Sequence, residues 1–329
     1  MKKSGSILFF GILFFIGCNT KNNYPNVTTF AGTGAMGARD GKGTSASFSN
    51  MMGIAADDNG NLYVADSRNN MIRKISKDGV VTTVAGNGLA GSADGKGDSA
   101  SFFYPEAVAV DRNGNLYVAD THNSLIRKIS PEGIVTTLAG KRIYNTIPGV
   151  DTVVRFDNPS GIAVDSSGYV YVADCGNDLI RKISPDGKVQ NFAGNGKKGA
   201  KDSSCLNASF YLPGGIALDS FGNIYVADTY NNMIRKISSS GLVTTIAGRT
   251  SAGAANGKRS TTSFLHPAGL TVGPGGYIYV ADVGNNKIRM ISPEGLVTNF
   301  AGSGSRGATN GRDTIASFFR PYGVAADKS

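Results

Sequence analysis

The chain has 329 residues, with 33 Lys+Arg against 24 Asp+Glu and a formal net charge of +9. Hydrophobic residues make up 40% and charged residues 17%, which excludes a disordered acidic chain and a coiled coil; three cysteines exclude a disulfide framework and two histidines a histidine-rich metal site. The 45 glycines are about twice the usual share and call for many tight turns, hence many short strands.

At the N-terminus, Lys2 and Lys3 precede an apolar run from Ile7 to Ile16. The run is too short to cross a bilayer as a helix but suits a signal-peptide core. Ordinary signal peptidase requires small residues at the last and third-last positions, a test that Phe15 fails. Gly17-Cys18 instead resembles a bacterial lipobox, with Phe15 where that pattern prefers Leu. The resemblance implies a signal peptide over 1–17, lipid on the Cys18 thiol, a polar tether over 18–26, and an exported lipoprotein of the bacterial cell envelope. Whether it sits in the inner or the outer membrane stays open.

Residues 27–329 are a tandem repeat. Tyr-Val-Ala-Asp begins at Tyr63, Tyr117, Tyr171, Tyr225 and Tyr279, each 54 residues after the last. The same step links Phe48, Phe102, Phe156, Phe210, Phe264 and Phe318. One unit reads as four strands: Gly161 to Asp165, Tyr169 to Ala173, Leu179 to Ile183 and Val189 to Ala193. Gly168 and Gly187 supply the positive φ that the hairpin turns require. Neither strand face is consistently polar, so both are covered, and tandem antiparallel units of this kind form a β-propeller. The prediction is all-β: five complete four-stranded blades starting near Gly53, Ala107, Gly161, Gly215 and Gly269, plus a split, incomplete sixth. Val27 to Gly32 is the lone fourth strand of that sixth blade and Gly323 to Asp327 its lone first strand.

The Tyr-Val-Ala-Asp strand, followed by Asn69, Asn123, Asn177, Asn231 or Asn285 and then Ile-Arg, resembles the NHL-repeat family. The period exceeds a usual NHL repeat because about twenty residues separate each fourth strand from the next first strand. Animal NHL proteins bind RNA through a basic face. Here the loop cations are interspersed with Asp40, Asp94, Asp98, Asp202 and Asp313, and an exported protein meets no cytosolic RNA, so nucleic acid is not the expected partner. A protein or cell-envelope component is.

Connections in an antiparallel blade alternate between its two ends, so the long inter-blade loops are expected to share a face with the second-to-third-strand loops. That face holds the candidate binding residues Arg68, His122, Asn123, Asn177, Tyr230, Asn231 and Asn285. The recurring Asp-x-x-Asn also has a structural reading, in which Asp and Asn bond nearby amides and hold the turn. Arg73 and its equivalents are expected buried between blades, paired with Asp66 and its equivalents. Asp40-Gly41-Lys42-Gly43 lacks the alternating oxygen ligands of a calcium loop and reads as a turn. The channel-mouth positions Met52, Glu106, Ser160, Gly214, Ala268 and Tyr322 offer one carboxylate, too few for a catalytic metal. No cofactor, metal or catalytic residue is therefore assigned, and a non-enzymatic scaffold is preferred to a propeller hydrolase or lyase with a divalent metal in its channel. Cys175 and Cys205, assigned to one face of an exported protein, leave a disulfide or two free thiols open. The recurring phenylalanines repeat identically, as a packing requirement would, and are expected in the core.

Overall fold

The computed structural model describes residues 25–140 and 155–326, together with the backbone of 13–17. Within these residues the regular structure is strands and single-turn 3-10 segments. Five antiparallel four-stranded blades follow one another. Blade I is Met51–Ala56, Leu62–Asp66, Met71–Ile75 and Val80–Ala85. Blade II is Pro105–Val110, Leu116–Asp120, Leu125–Ile129 and Ile134–Gly140. Blade III starts at Pro159–Val164, blade IV at Ile216–Leu218 and blade V at Pro267–Val272. Registers repeat from blade to blade: Val64 pairs with Arg73, Val118 with Arg127, Val172 with Arg181. The turn glycines take the expected positive φ, Gly168 at 82° and Gly187 at 86°.

Apolar side chains on both faces of each sheet pack between blades. Ala65, Ile72 and Ala85 of blade I meet Phe102, Val108, Val118 and Ile129 at the second blade. Burying a side chain of this size contributes roughly 1.5–3 kcal/mol, so each inter-blade seam is a core of its own.

The inter-blade segments differ from the expectation. They leave and return on the face of the second-to-third-strand loops, but between those points they run down the outer edge of the blade they are about to form. There, Gly41–Lys42, Gly95–Lys96, Ser203–Ser204 and Gly257–Lys258 each add a two-residue fifth strand to the fourth strand of that blade. An edge strand left bare would expose unpaired amides and carbonyls, and the strap covers part of it. The segment between blades II and III lies mostly outside the described residues.

Asn26–Ala31, the lone fourth strand, carries Gly311–Arg312 on one side. Leu13–Gly17, part of the apolar run near the N-terminus, pairs antiparallel on its other side, in the place of a third strand. At the axis the first strands touch backbone to backbone. A Cβ on Gly53 would collide with Ala107, on Gly161 with Gly214, on Gly215 with Ala268, and on Gly269 with Tyr322. Gly323 closes the circle, with Met52 O too near for a Cβ there, and Gly269 N donates to Tyr322 O at 2.8 Å. Six first-strand positions thus ring the axis, with five blades complete among the described residues.

Candidate functional site

The loops at one end of the blades are shaped by a buried polar knot. In blade I, Asp66 accepts from Ser49 N at 2.7 Å, Asn69 Nδ2 at 2.8 Å and Arg73 Nη1 at 2.8 Å. Arg73 Nη2 also donates to Asp40 Oδ1 at 2.6 Å, and its guanidinium lies 5.2 Å from the Phe48 ring centre. Blades II, IV and V repeat the set around Arg127, Arg235 and Arg289, with Asn256 replacing the strap aspartate in blade V. Burial pushes the carboxyls of Asp66, Asp120, Asp228 and Asp282 up, while guanidinium and amide donors work against that shift. The Asp40, Asp94 and Asp202 carboxylates are therefore arginine partners reaching in from the straps as well as turn residues.

Four of the candidate binding residues belong to this knot. Asn123, Asn177, Asn231 and Asn285 each donate from Nδ2 to the aspartate three residues earlier and to a carbonyl of the preceding segment, as in Asn231 to Asp228 and Gly199. Arg68, His122 and Tyr230 occupy the exposed second position of their loops, and the main-chain N–H of each is tied down, Arg68 to Ser49 O and Tyr230 to Tyr211 O. His122 stacks on Tyr104 at 4.7 Å, and Tyr230 on His266 at 5.0 Å.

Next to these loops, six equivalent residues hold a left-handed backbone: Asn50, Tyr104, Asn158, Leu212, His266 and Arg320, with φ between 45° and 56°. For residues other than glycine or asparagine this conformation costs roughly 1–2 kcal/mol. At Tyr104, Leu212, His266 and Arg320 the preceding blade enforces it. Asn70 Oδ1 accepts from Tyr104 N at 2.8 Å, Asp178 Oδ1 from Leu212 N at 2.7 Å, and Asn232 Oδ1 from His266 N at 2.9 Å.

Two residues further on lies the predicted channel mouth, and all six of its positions line one cavity of about 320 Å³ on the axis. Leu212, His266 and Arg320 of the left-handed ring line it too, as do Cys175 and Tyr230. The glycine ring below explains the void: the first strands meet through backbone, which leaves little side chain to fill the axis. Burial pushes the Glu106 carboxyl up to about 7 and the Cys175 thiol up to about 12. Arg320 Nη2 donates to Tyr322 Oη at 2.9 Å at the rim. Among the described residues no group of three His, Cys, Asp or Glu is placed to hold a metal ion.

The expected shared face does not hold for Cys205. It follows the strap strand Ser203–Ser204, and its N–H donates to Gly241 O in the third-to-fourth-strand turn, at the blade end opposite the Cys175 loop. Both thiols are free. The inner ring of left-handed residues was not singled out from sequence. Its signal was available: it is a column in which the repeat changes residue at almost every step while its neighbours Phe and Pro recur.

The NHL repeat family matches residues 102–129, 156–183, 210–237 and 264–289. The chain carries NHL repeats. NHL repeat-containing protein 2 of Bos taurus is 31% identical over 297 residues, covering 78% of this chain and 41% of that protein. The chain spans less than half the length of the first curated relatives it matches. An auxiliary nutrient binding protein of Bacteroides thetaiotaomicron superposes with a TM-score of 0.67 at 16% identity, over 91% of this chain and 70% of that one. Virginiamycin B lyase of Staphylococcus aureus superposes at 0.53 and 21% identity, over 84% and 74%. At such identities the likeness is one of fold. One fold thus serves a binding protein and a lyase, and function has to be argued from the site.

Proposed function

We propose that this NHL propeller is a non-enzymatic binding protein, tethered to the bacterial envelope through lipid on Cys18, that takes a protein or envelope partner at the axial mouth and the loops around it. One observation carries the reading. In a chain whose repeats keep strands, turns, knots and core rings nearly unchanged, the six mouth positions, and Leu212, His266 and Arg320 beside them, differ from blade to blade around one cavity. Packing requirements repeat; recognition of an unsymmetric partner does not. The mouth supplies Glu106 as its one carboxylate, which does not suit the metal-assisted hydrolase or lyase alternative. Cys18 lies outside the described residues, so the tether rests on the lipobox resemblance. Cleavage before Cys18 would remove Leu13–Gly17 from the edge of Asn26–Ala31.

A photoreactive residue placed at Tyr230 or Tyr104 in intact cells should cross-link a discrete envelope component. The same residue at Phe221, 81% exposed on a first-to-second-strand turn at the other end of the blades, should not. Equal labelling from both faces would overturn the reading. For the tether, Cys18→Ala should lose the mass of the lipid and its membrane partitioning; a variant unchanged in both would remove that part of the proposal.

A further inference from the structure

The five buried aspartates of the blades, Asp66, Asp120, Asp174, Asp228 and Asp282, each face an arginine at 2.7–2.9 Å. Glu106 is a different case. It lies largely desolvated in the wall of the axial cavity, and burial is the one cause acting on its carboxyl. Among the described residues no hydrogen bond or ion pair is made to its carboxylate. Ionising a half-buried carboxyl group that has no partner is costly, and the fold supplies cations to its fully buried acids freely. A cation arriving from outside would supply that partner.

The rest of the cavity narrows what that partner is. Met52, Leu212 and Leu270 give it apolar walls, and Tyr322 and the Tyr230–His266 stack give it aromatic ones. Walls of this kind suit a hydrocarbon stem, and aromatic faces favour a cation. The cavity lies at the small end of ligand sites, the size for a side chain or a small molecule rather than a folded surface. The other groups around Glu106 do not compete for it: burial holds the Cys175 thiol and the Tyr322 hydroxyl in their neutral forms, and Arg320 is engaged at the rim with Tyr322.

We propose that the axial cavity binds a protonated alkylamine, with Glu106 as its counter-ion and the apolar and aromatic walls carrying its stem. The inference deepens the binding reading above and rests on it. A lysine side chain presented by a partner protein and a free small amine share this chemistry, and the probes separate them.

The test is calorimetric titration of the full chain with three probes: cadaverine, a capped Gly-Gly-Lys-Gly-Gly peptide, and the same peptide with norleucine for lysine. Wild type should bind at least one amine probe and prefer lysine over norleucine. Tighter binding of the peptide names a protein lysine as the source; tighter binding of cadaverine names a free amine. Glu106→Gln should lose about 10- to 100-fold in amine affinity and leave the norleucine probe unaffected. Thermal melting confirms that this variant is folded, and Phe221→Ser, on an exposed turn at the other end of the blades, serves as a second folded variant that should keep the amine preference. Binding of neither amine probe by wild type, a lysine peptide that binds no more tightly than its norleucine counterpart where both bind, or equal amine affinity in Glu106→Gln, would overturn the proposal. Cross-linking at the mouth would still succeed in that event, so failure here is distinguishable from failure of the broader reading.

Discussion

Replacing Glu106 with Gln should make the protein more stable above neutral pH and leave it nearly unchanged in acid. Burial raises the Glu106 carboxyl from an ordinary 4.5 to about 7. In the unfolded chain the group ionises near 4.5, whereas in the folded protein it holds its proton until about 7. Between those values folding takes up a proton, so the contribution of Glu106 to stability falls as pH rises and is fully unfavourable above 7. A shift of that size corresponds to about 3 kcal/mol at most, and the open mouth of the cavity, which leaves the group partly accessible, reduces the expectation to about 1–3 kcal/mol. Urea melts of both proteins at pH 4 and pH 8 supply the measurement. Other titrating groups are common to the two chains and cancel in the difference. A stability difference that is the same at both pH values would refute the reasoning, because it would show a carboxylate as well solvated folded as unfolded.

Phe210→Ala should cost about 3–5 kcal/mol in denaturant melts, because the ring is fully buried and lies 5.2 Å below the Arg235 guanidinium. Arg235→Met strands the buried Asp228 carboxylate and should cost about 3–5 kcal/mol; Arg181→Met, at a side chain 12% exposed, should cost less by the same assay. Intact mass after alkylation without reduction should show Cys175 and Cys205 both modified, Cys205 first, since burial pushes the Cys175 thiol up to about 12. Leu212→Asn should raise stability by up to about 1 kcal/mol by relieving a left-handed leucine (φ 45°), as Asn50 and Asn158 already do at equivalent positions; a loss of stability would mean that the leucine packs more than it strains.

Much of this fold can be read in the sequence because a propeller blade is a local object. Strand period, turn glycines and the step of 54 residues fix the five blades, and identical recurrence correctly marks Phe102, Phe210 and Phe264 as core. The pairing of Arg73 with Asp66 follows from a charge on each of two adjacent strands. The straps were not legible, since two-residue strands such as Gly95–Lys96 carry no alternation to detect. Because the strap runs down the blade edge, Cys205 lies at the blade end opposite Cys175 rather than beside it. The six mouth positions were placed correctly, but the cavity depends on backbone approach at the glycine ring, a property of closure that no single repeat displays.

The same closure explains why recognition is expected at the mouth rather than along the blades. The buried side chains of the blades are held twice, by neighbours within the sheet and by the next blade, so a change at one of them disturbs two blades. At the axis the glycine ring already makes the inter-blade contact through backbone, and the side chains just above it have no packing duty to repeat. They are free to be Met52 in one blade, Glu106 in the next and Tyr322 in another. Of the left-handed residues beside them, Tyr104, Leu212, His266 and Arg320 are strained, yet each of these four is clamped by an Asx side chain of the previous blade, as Leu212 is by Asp178. Strain that the scaffold over-determines in this way persists without loosening the fold, and it places Leu212, His266 and Arg320 at the cavity. A symmetric scaffold thereby acquires an unsymmetric site, with one largely desolvated carboxyl group on one side of it and no ion pair to that group among the described residues.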